Sequence, residues 1–453
     1  MDLNRRRLIG AAGVAGALAA TADPAAAAPL TATLGRDAAL DGVRSGSPDD
    51  QTRALQRAID NAARAGVPLA LSPGVYRTGP LTLPKGAQLV GTRGATRLQF
   101  TGGTAIISGD GADHAGLTGL TLDGGGLPLP DRGALVSLRG GRDIRIRDCE
   151  ITASGGCGIL LESVAGVVSG NIMTDSKVTA IASFDAQGLV VAQNVIRGAA
   201  HNGIEILRTT IGDDGTLVID NRVEDIVAGP GGSGQYGNAI NAFRAGNVVV
   251  RGNRIRNCDY SAVRGNSAAN IHITGNSVSG VREVALYSEF AFEGAVISGN
   301  TVDGAAVGVS VCNFNEGGRL SVVQGNIIRN LRPKRPIGTA PDDDAGIGIY
   351  VEADTAVTGN VVENAPAFGI MAGWGKYLRD VAITGNVIRN AFTGIGVSVA
   401  PGAGTALISA NMISGTKRGA VVGLDHARSV TSDLAADGAT RYAQAALAGN
   451  VVR

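Results

Sequence analysis

The chain has 453 residues, too many for one ordinary compact core, and it carries 68 glycines but only 4% aromatics. Apolar residues reach 44%, which excludes a disordered chain, and no break in composition divides it into two globular halves. The formal net charge of +1 gives no bulk argument for nucleic acid or an anionic membrane as partner.

Residues 1–28 read as a targeting segment. Asn4-Arg5-Arg6-Arg7-Leu8-Ile9 opens a small-residue apolar run from Leu8 to Ala22, and an Ala-rich stretch leads to Pro29, with cleavage expected near Ala26 to Ala28. The run is shorter than the ~20 residues of a bilayer span. Paired arginines before a weakly apolar run resemble a twin-arginine export signal, which implies a bacterial protein sent to the periplasm or beyond; an ordinary secretory signal is the alternative. Without this segment 37 basic (40 minus 3) and 37 acidic (39 minus 2) residues remain, so the mature chain is nearly neutral.

Residues 29–68 form an N-terminal segment. Within it Leu55, Ala58, Ile59 and Ala62 recur at helical spacing, which predicts a helix over 51–65 behind Asp49 and Asp50 and ended by Gly66. Short strands separated by Pro and Gly turns follow: 67–76 with its Pro73-Gly74-Val75-Tyr76 step, Leu81-Thr82-Leu83, and Gln88 to Gly91. This order is similar to the opening of the pectate-lyase-like superfamily, where such a helix covers the end of a coil.

The rest of the chain is a repeat. Gly-Asn recurs at 170–171, 252–253, 275–276, 299–300, 325–326, 359–360, 385–386 and 449–450. Gln193-Asn194, Asp220-Asn221 and Ala410-Asn411 are degenerate copies, and Asp148 and Asp123 are assigned the same phase. The basic interval of 23 residues, as from 171 to 194, holds three short strands and three turns but no strand–helix–strand crossover. A leucine-rich repeat has similar length, but its periodic leucines are missing. Asn tolerates a left-handed turn, and stacked once per coil its amide can bond its neighbours. With thirteen anchors the stack would be ~60 Å long at ~4.8 Å per strand. The whole is similar to the family of twin-arginine-translocated repeat proteins. That resemblance implies an all-β fold, a single-stranded right-handed parallel β-helix (a solenoid) over 69–453 with a short capping helix, and implies no particular reaction.

Cys149, Cys157, Cys258 and Cys312 match no zinc spacing and read as buried small apolar residues rather than a bridge. No metal or cofactor is expected, and the oligomeric state is open. Asp342-Asp343-Asp344 reads as a solvated loop rather than a calcium site. Gly212-Asp213-Asp214-Gly215 resembles an acidic pair of polygalacturonases but lacks their flanking motifs and reads as a turn. Trp374 and Tyr377 read equally well as a sugar-stacking spot or a plain surface loop.

The repeat allows coil-by-coil comparison of outward positions. Eleven residues after each anchor Asn stand Ala182, Glu205, Arg264, Tyr287 and Met371; Asn241 and Ser310 join once insertions are allowed for. Glu205, Asn241, Arg264 and Tyr287 thus form the candidate catalytic column, with His201, Tyr236, Glu289, Arg208 and Arg244 as candidate binding residues around one groove. The competing view is a plain solvated stripe. The chemistry suggested is a uronate gripped by Arg264, a Tyr287 base with its pKa lowered by Arg264, charge support from Asn241, and Glu205 orienting Arg264. By analogy of fold, the expected function is an exported protein that binds or modifies a polysaccharide, an acidic one among the candidates, as a lyase or epimerase. The alternative is a non-catalytic envelope binding or scaffold protein, which the scarcity of aromatic rings favours.

Overall fold

The computed structural model describes residues 35–232, 234–339 and 343–453; the 1–28 signal lies outside the described residues. The predicted helix, α1, runs Thr52–Ala65 and buries the four residues that set its periodicity, Leu55, Ala58, Ile59 and Ala62. The N-cap position falls to Gln51, whose side chain makes no cap bond; Asp50, one residue earlier, accepts from the first helical amide, Thr52, at 2.9 Å through Oδ1 and from the Thr101 hydroxyl at 2.7 Å through Oδ2. Gly66 ends it in the left-handed conformation at φ 67°.

The body is a parallel β-solenoid of about 14 turns. One coil shows the plan. Strands Ile172–Ser176, Ile181–Phe184 and Val190–Ala192 belong to three sheets, here A, B and C. The next coil repeats them as Val195–Ala199, Ile204–Asp213 and Leu217–Ile219, each parallel to its predecessor. Alternation sends one side chain of each pair inward, so columns of Ile, Val and Leu fill the coil. The coil starts earlier than Leu69, because Arg36–Asp37 already pairs parallel with Leu69–Ala70. At the other end a hairpin, Gly419–Asp425 against Arg428–Asp433, folds antiparallel.

The corner from sheet C to sheet A carries the Asn ladder. Asn171, Asn194, Asn221, Asn253, Asn276, Asn300, Asn326, Asn360, Asn386, Asn411 and Asn450 stack in order, each Nδ2 donating to the next Oδ1 at 2.9–3.0 Å. Each Oδ1 also accepts the backbone N–H of the Asn one coil earlier, and each Nδ2 also reaches a strand carbonyl, as Asn276 does to Val250 O at 3.0 Å. The Gly of each step sits at φ 61–69° from Gly170 to Gly449, and Gln193, Asp220 and Ala410 hold the same left-handed conformation at 54–57°.

The phase given to Asp148 and Asp123 is corrected by this geometry. Asp148, at φ 53°, occupies the Gly position, and it is the Cys149 amide that donates to Asn171 Oδ1. Asp123 lies farther along, inside the sheet A strand Thr121–Asp123. The two are acidic residues near the corner, and sequence spacing alone does not resolve an offset of one to three residues.

Corner lengths are unequal. The C-to-A corner keeps two residues between strands in every ladder coil, as 170–171, 252–253 and 410–411 show. The corners on either side of sheet B vary: 124–133, 227–239 and 330–346 enter between sheets A and B, and 312–318, 373–378 and 399–405 between B and C. Long loops therefore wall sheet B on both sides. All four cysteines are buried as free thiols, and no helix among the described residues is long and apolar enough to cross a membrane.

Candidate functional site

Strand register puts the outward column of sheet B in one line: Leu160, Ala182, Glu205, Asn241, Arg264, Tyr287, Ser310, Tyr350 and Met371 occupy successive coils. Arg264 therefore stands one coil from both Asn241 and Tyr287. Sequence spacing missed two members: Tyr350, because the insertion before it displaces the eleven-residue count to Ile337, and Leu160, because Asp148 is one residue out of phase with the anchors.

The column does not form one open groove. Arg264 is locked in place: its Nε donates to Glu289 Oε1 at 2.6 Å, its Nη1 lies 4.0 Å from Glu283, and its guanidinium sits 5.3 Å from the Tyr287 ring centre. Its side chain is only 11% exposed, and the Gly234 backbone packs so tightly against it that a Cβ there would not fit. Burial opposes its charge, but Glu289 and Glu283 outweigh burial and raise its pKa. Glu205 does not orient it; that role falls to Glu289, itself held by Asn266 Nδ2 at 3.0 Å. The segment carrying Tyr236 crosses the column instead of walling it, and Tyr260 ties it to the second insertion by donating to Gly232 O at 2.5 Å and Ile337 O at 3.1 Å.

Two clefts remain, one on each side of this crossing. The first, about 330 Å³, is lined by Tyr287, Ser310, Tyr350, Glu352, Trp374 and Tyr377 among others, with Arg335, Asp343 and Asp344 supplied by the insertion. Glu352 receives the Tyr350 hydroxyl proton at 2.5 Å and the Phe314 amide at 2.6 Å. Burial raises the Glu352 pKa, and these hydrogen bonds only partly offset it. Arg335 donates to Asp344 O at 2.7 Å and faces Glu283 at 3.6 Å and Asp343 at 3.9 Å. The expectation that Arg264 lowers the Tyr287 pKa is overturned. Burial above all, then Cys312 and the Glu289 and Glu283 carboxyls, hold the phenol well above its ordinary value, the opposite of what a base needs.

The second cleft, about 340 Å³, holds His201 and Glu205. His201 stacks tilted on Tyr236 with ring centres 4.6 Å apart, and burial lowers its pKa. Glu205 accepts from Asn202 Nδ2, and burial raises its pKa despite the hydrogen bonds from Asn202 and Thr179. Arg208 and Arg244 line neither cleft. Arg208 Nη1 reaches Ala186 O at 3.5 Å, while Arg244 donates to Thr209 O at 2.9 Å and covers the Phe243 ring. The 212–215 motif is an ordinary strand end and turn, where Thr216 donates to the buried Asp214. Asp342 lies outside the described residues, and among the described residues no group of three or more His, Cys, Asp or Glu side chains is placed to hold a metal ion.

The raised Glu205 pKa fixes a sign. A carboxyl that binds its proton more tightly in the folded state stabilises the fold fully in acid, and that contribution is lost as pH rises through the raised value. Glu205→Gln therefore gains melting temperature over the parent on going from acid to neutral pH. Parallel melting curves across that range refute the assignment.

The profile of a family described as "Right handed beta helix region" matches residues 104–231 and 209–379, more than half of the chain. The chain belongs to this family. The repeats that the profile recognises are the coils that carry both clefts. The search of curated proteins returned no significant match. Among solved structures the chain is similar to the catalytic unit of the thermostable GH87 α-1,3-glucanase of Streptomyces thermodiastaticus, at 16% identity and TM-score 0.50, over 92% of this chain and 68% of that one. It is also similar to the A-module of the mannuronan C-5 epimerase AlgE6 of Azotobacter vinelandii, at 16% identity and TM-score 0.46, over 92% and 99%. The surface adhesin PfbA of Streptococcus pneumoniae matches at 15% identity and TM-score 0.45, over 88% and 95%. At these identities the likeness is one of fold.

Proposed function

We propose that this is a glycan-binding β-helix protein whose first cleft seats a sugar unit of an extended chain. One observation carries the reading. Aromatics make up only 4% of the chain, yet its single Trp and three of its seven Tyr converge on that cleft as Trp374, Tyr287, Tyr350 and Tyr377. Sugar rings pack their C–H faces on such platforms, while phenol hydroxyls and carboxyls take their hydroxyls. The objection from scarce aromatics thus loses its force, because the rings are concentrated where they are useful. The α-1,3-glucanase of the same fold acts, by its name, on a polysaccharide, which agrees with the reading without carrying it.

The charge of the cleft favours a neutral sugar over a uronate. Arg264 is sealed off, and the one guanidinium in the lining, Arg335, is engaged by the Glu283 and Asp343 carboxyls and the Asp344 carbonyl, while Asp343, Asp344 and Glu352 add carboxyls to the same lining. A second reading, catalysis, rests on Glu352, a carboxyl in the cleft lining whose pKa burial raises, the direction a general acid needs. Trp374→Ala is expected to weaken neutral-oligosaccharide binding at least tenfold, ~1.4 kcal/mol, with the melting temperature unchanged. Unaltered affinity in calorimetric titration sinks the placement of the site.

Export by the twin-arginine route belongs to the same proposal. Changing Arg5, Arg6 and Arg7 together to Lys is expected to hold precursor in the cytoplasm. Unchanged periplasmic yield refutes the route.

A further inference from the structure

The second cleft differs in chemistry from the first. Its floor is a separate apolar cluster outside the coil, with Cys157, Leu160, Ala182, Val178 and Phe184 packed together. Polar groups gather at one end: the column passes from Leu160 to Ala182 to Glu205 in three successive coils, and His201 stands beside Glu205. The 129–133 loop closes the side, and the Arg132 guanidinium is occupied by the Phe184 ring at 4.8 Å and Glu162 at 3.2 Å. An unsubstituted sugar would lay hydroxyls on a floor with no partner for them, which is unfavourable. A carboxylated sugar would meet Glu205, and the one guanidinium of the lining, Arg132, already pairs with Glu162.

We propose that this cleft binds an acylated sugar, with the acyl methyl on Leu160 and Ala182 and the carbonyl, amide or neighbouring hydroxyls on His201 and Glu205. Burial of a methyl on an apolar floor and a few placed polar groups at one end are what such a substituent needs. The inference rests on the glycan reading and extends it. Glu205 and Tyr350 stand five coils apart in one column, about 24 Å at ~4.8 Å per coil, so one glycan passing outside the crossing segment can engage both clefts.

Calorimetric titration with three probes tests this: an N-acetylglucosamine hexamer, an O-acetylated xylan oligomer and unsubstituted cellohexaose. At least one acylated probe should bind fivefold or more tighter than cellohexaose, and which one does so distinguishes amide from ester. Ala182→Phe projects a ring outward into the cleft and should abolish that preference, bringing the acylated probes down to the affinity of cellohexaose for the same variant. Val178→Phe blocks the same space from the rim and serves if Ala182→Phe lowers the melting temperature. Trp374→Ala should weaken all bound probes alike. Equal affinity for the three probes, or a preference that survives the filling variants, overturns the acyl site and leaves the first cleft standing. No binding of any probe overturns both readings.

Discussion

Asn276→Ala is expected to destabilise the protein by about 3–5 kcal/mol, since each buried polar group left without a partner costs ~1–3 kcal/mol. The substitution strands the Asn253 backbone amide, which donates to Asn276 Oδ1, and the Val250 carbonyl, which accepts from Asn276 Nδ2, and it takes one acceptor from Asn253 Nδ2, which keeps Val218 O. Asn276→Leu restores the volume and none of the bonds, so it should lose as much. Asn450→Ala, at the partly exposed last rung, should lose far less. Urea unfolding followed by circular dichroism measures all three. A loss under ~1 kcal/mol at Asn276 would show that the ladder is ornament and that the aliphatic columns alone set the stack.

Arg264→Ala is expected to be as damaging, about 3–5 kcal/mol, because it removes one side of a buried ion cluster and leaves carboxylates uncompensated. Glu289 keeps only Asn266, and Glu283 keeps Ser261 at 2.7 Å and the more distant Arg335. The loss should shrink in acid, where the carboxyls left behind take up protons. Replacing both partners, Arg264→Met with Glu289→Gln, should recover much of the stability, as buried pairs exchanged for neutral groups often do. If Arg264→Ala leaves stability intact and abolishes glycan binding, the guanidinium belongs to the binding surface and the sealed-column description fails.

Much of the fold was legible because it is written in short range. The helix over 52–65 announced itself through Leu55, Ala58, Ile59 and Ala62, and the ladder through a dipeptide whose backbone needs are severe. The outward column could be counted off the ladder, and the register places Glu205, Asn241, Arg264 and Tyr287 in adjoining coils. What escaped depends on loops. Tyr350 fell out of the count behind the 330–346 insertion, and Trp374 and Tyr377, singled out in sequence as a stacking spot or a plain loop, could not be joined to the column because they sit on a corner that no repeat position predicts. Burial escaped too: spacing says that Arg264 faces outward, but not that the Gly234 backbone covers it or that Glu289 reaches it from the neighbouring coil. Hence a grip on a uronate looked natural in sequence and is disfavoured in space.

The two-residue corner at the ladder has a consequence for how such a molecule changes its reach. Because every ladder coil leaves and rejoins that corner identically, a coil is an interchangeable link, and copying or excising one such as 254–276, between the clefts, preserves the phase of everything beyond it. The loops that furnish the clefts hang from the opposite corners and travel with their own links. The separation between the clefts is therefore quantised, lengthening or shortening in steps of ~4.8 Å, like two markers on a ruler whose graduations are the asparagines.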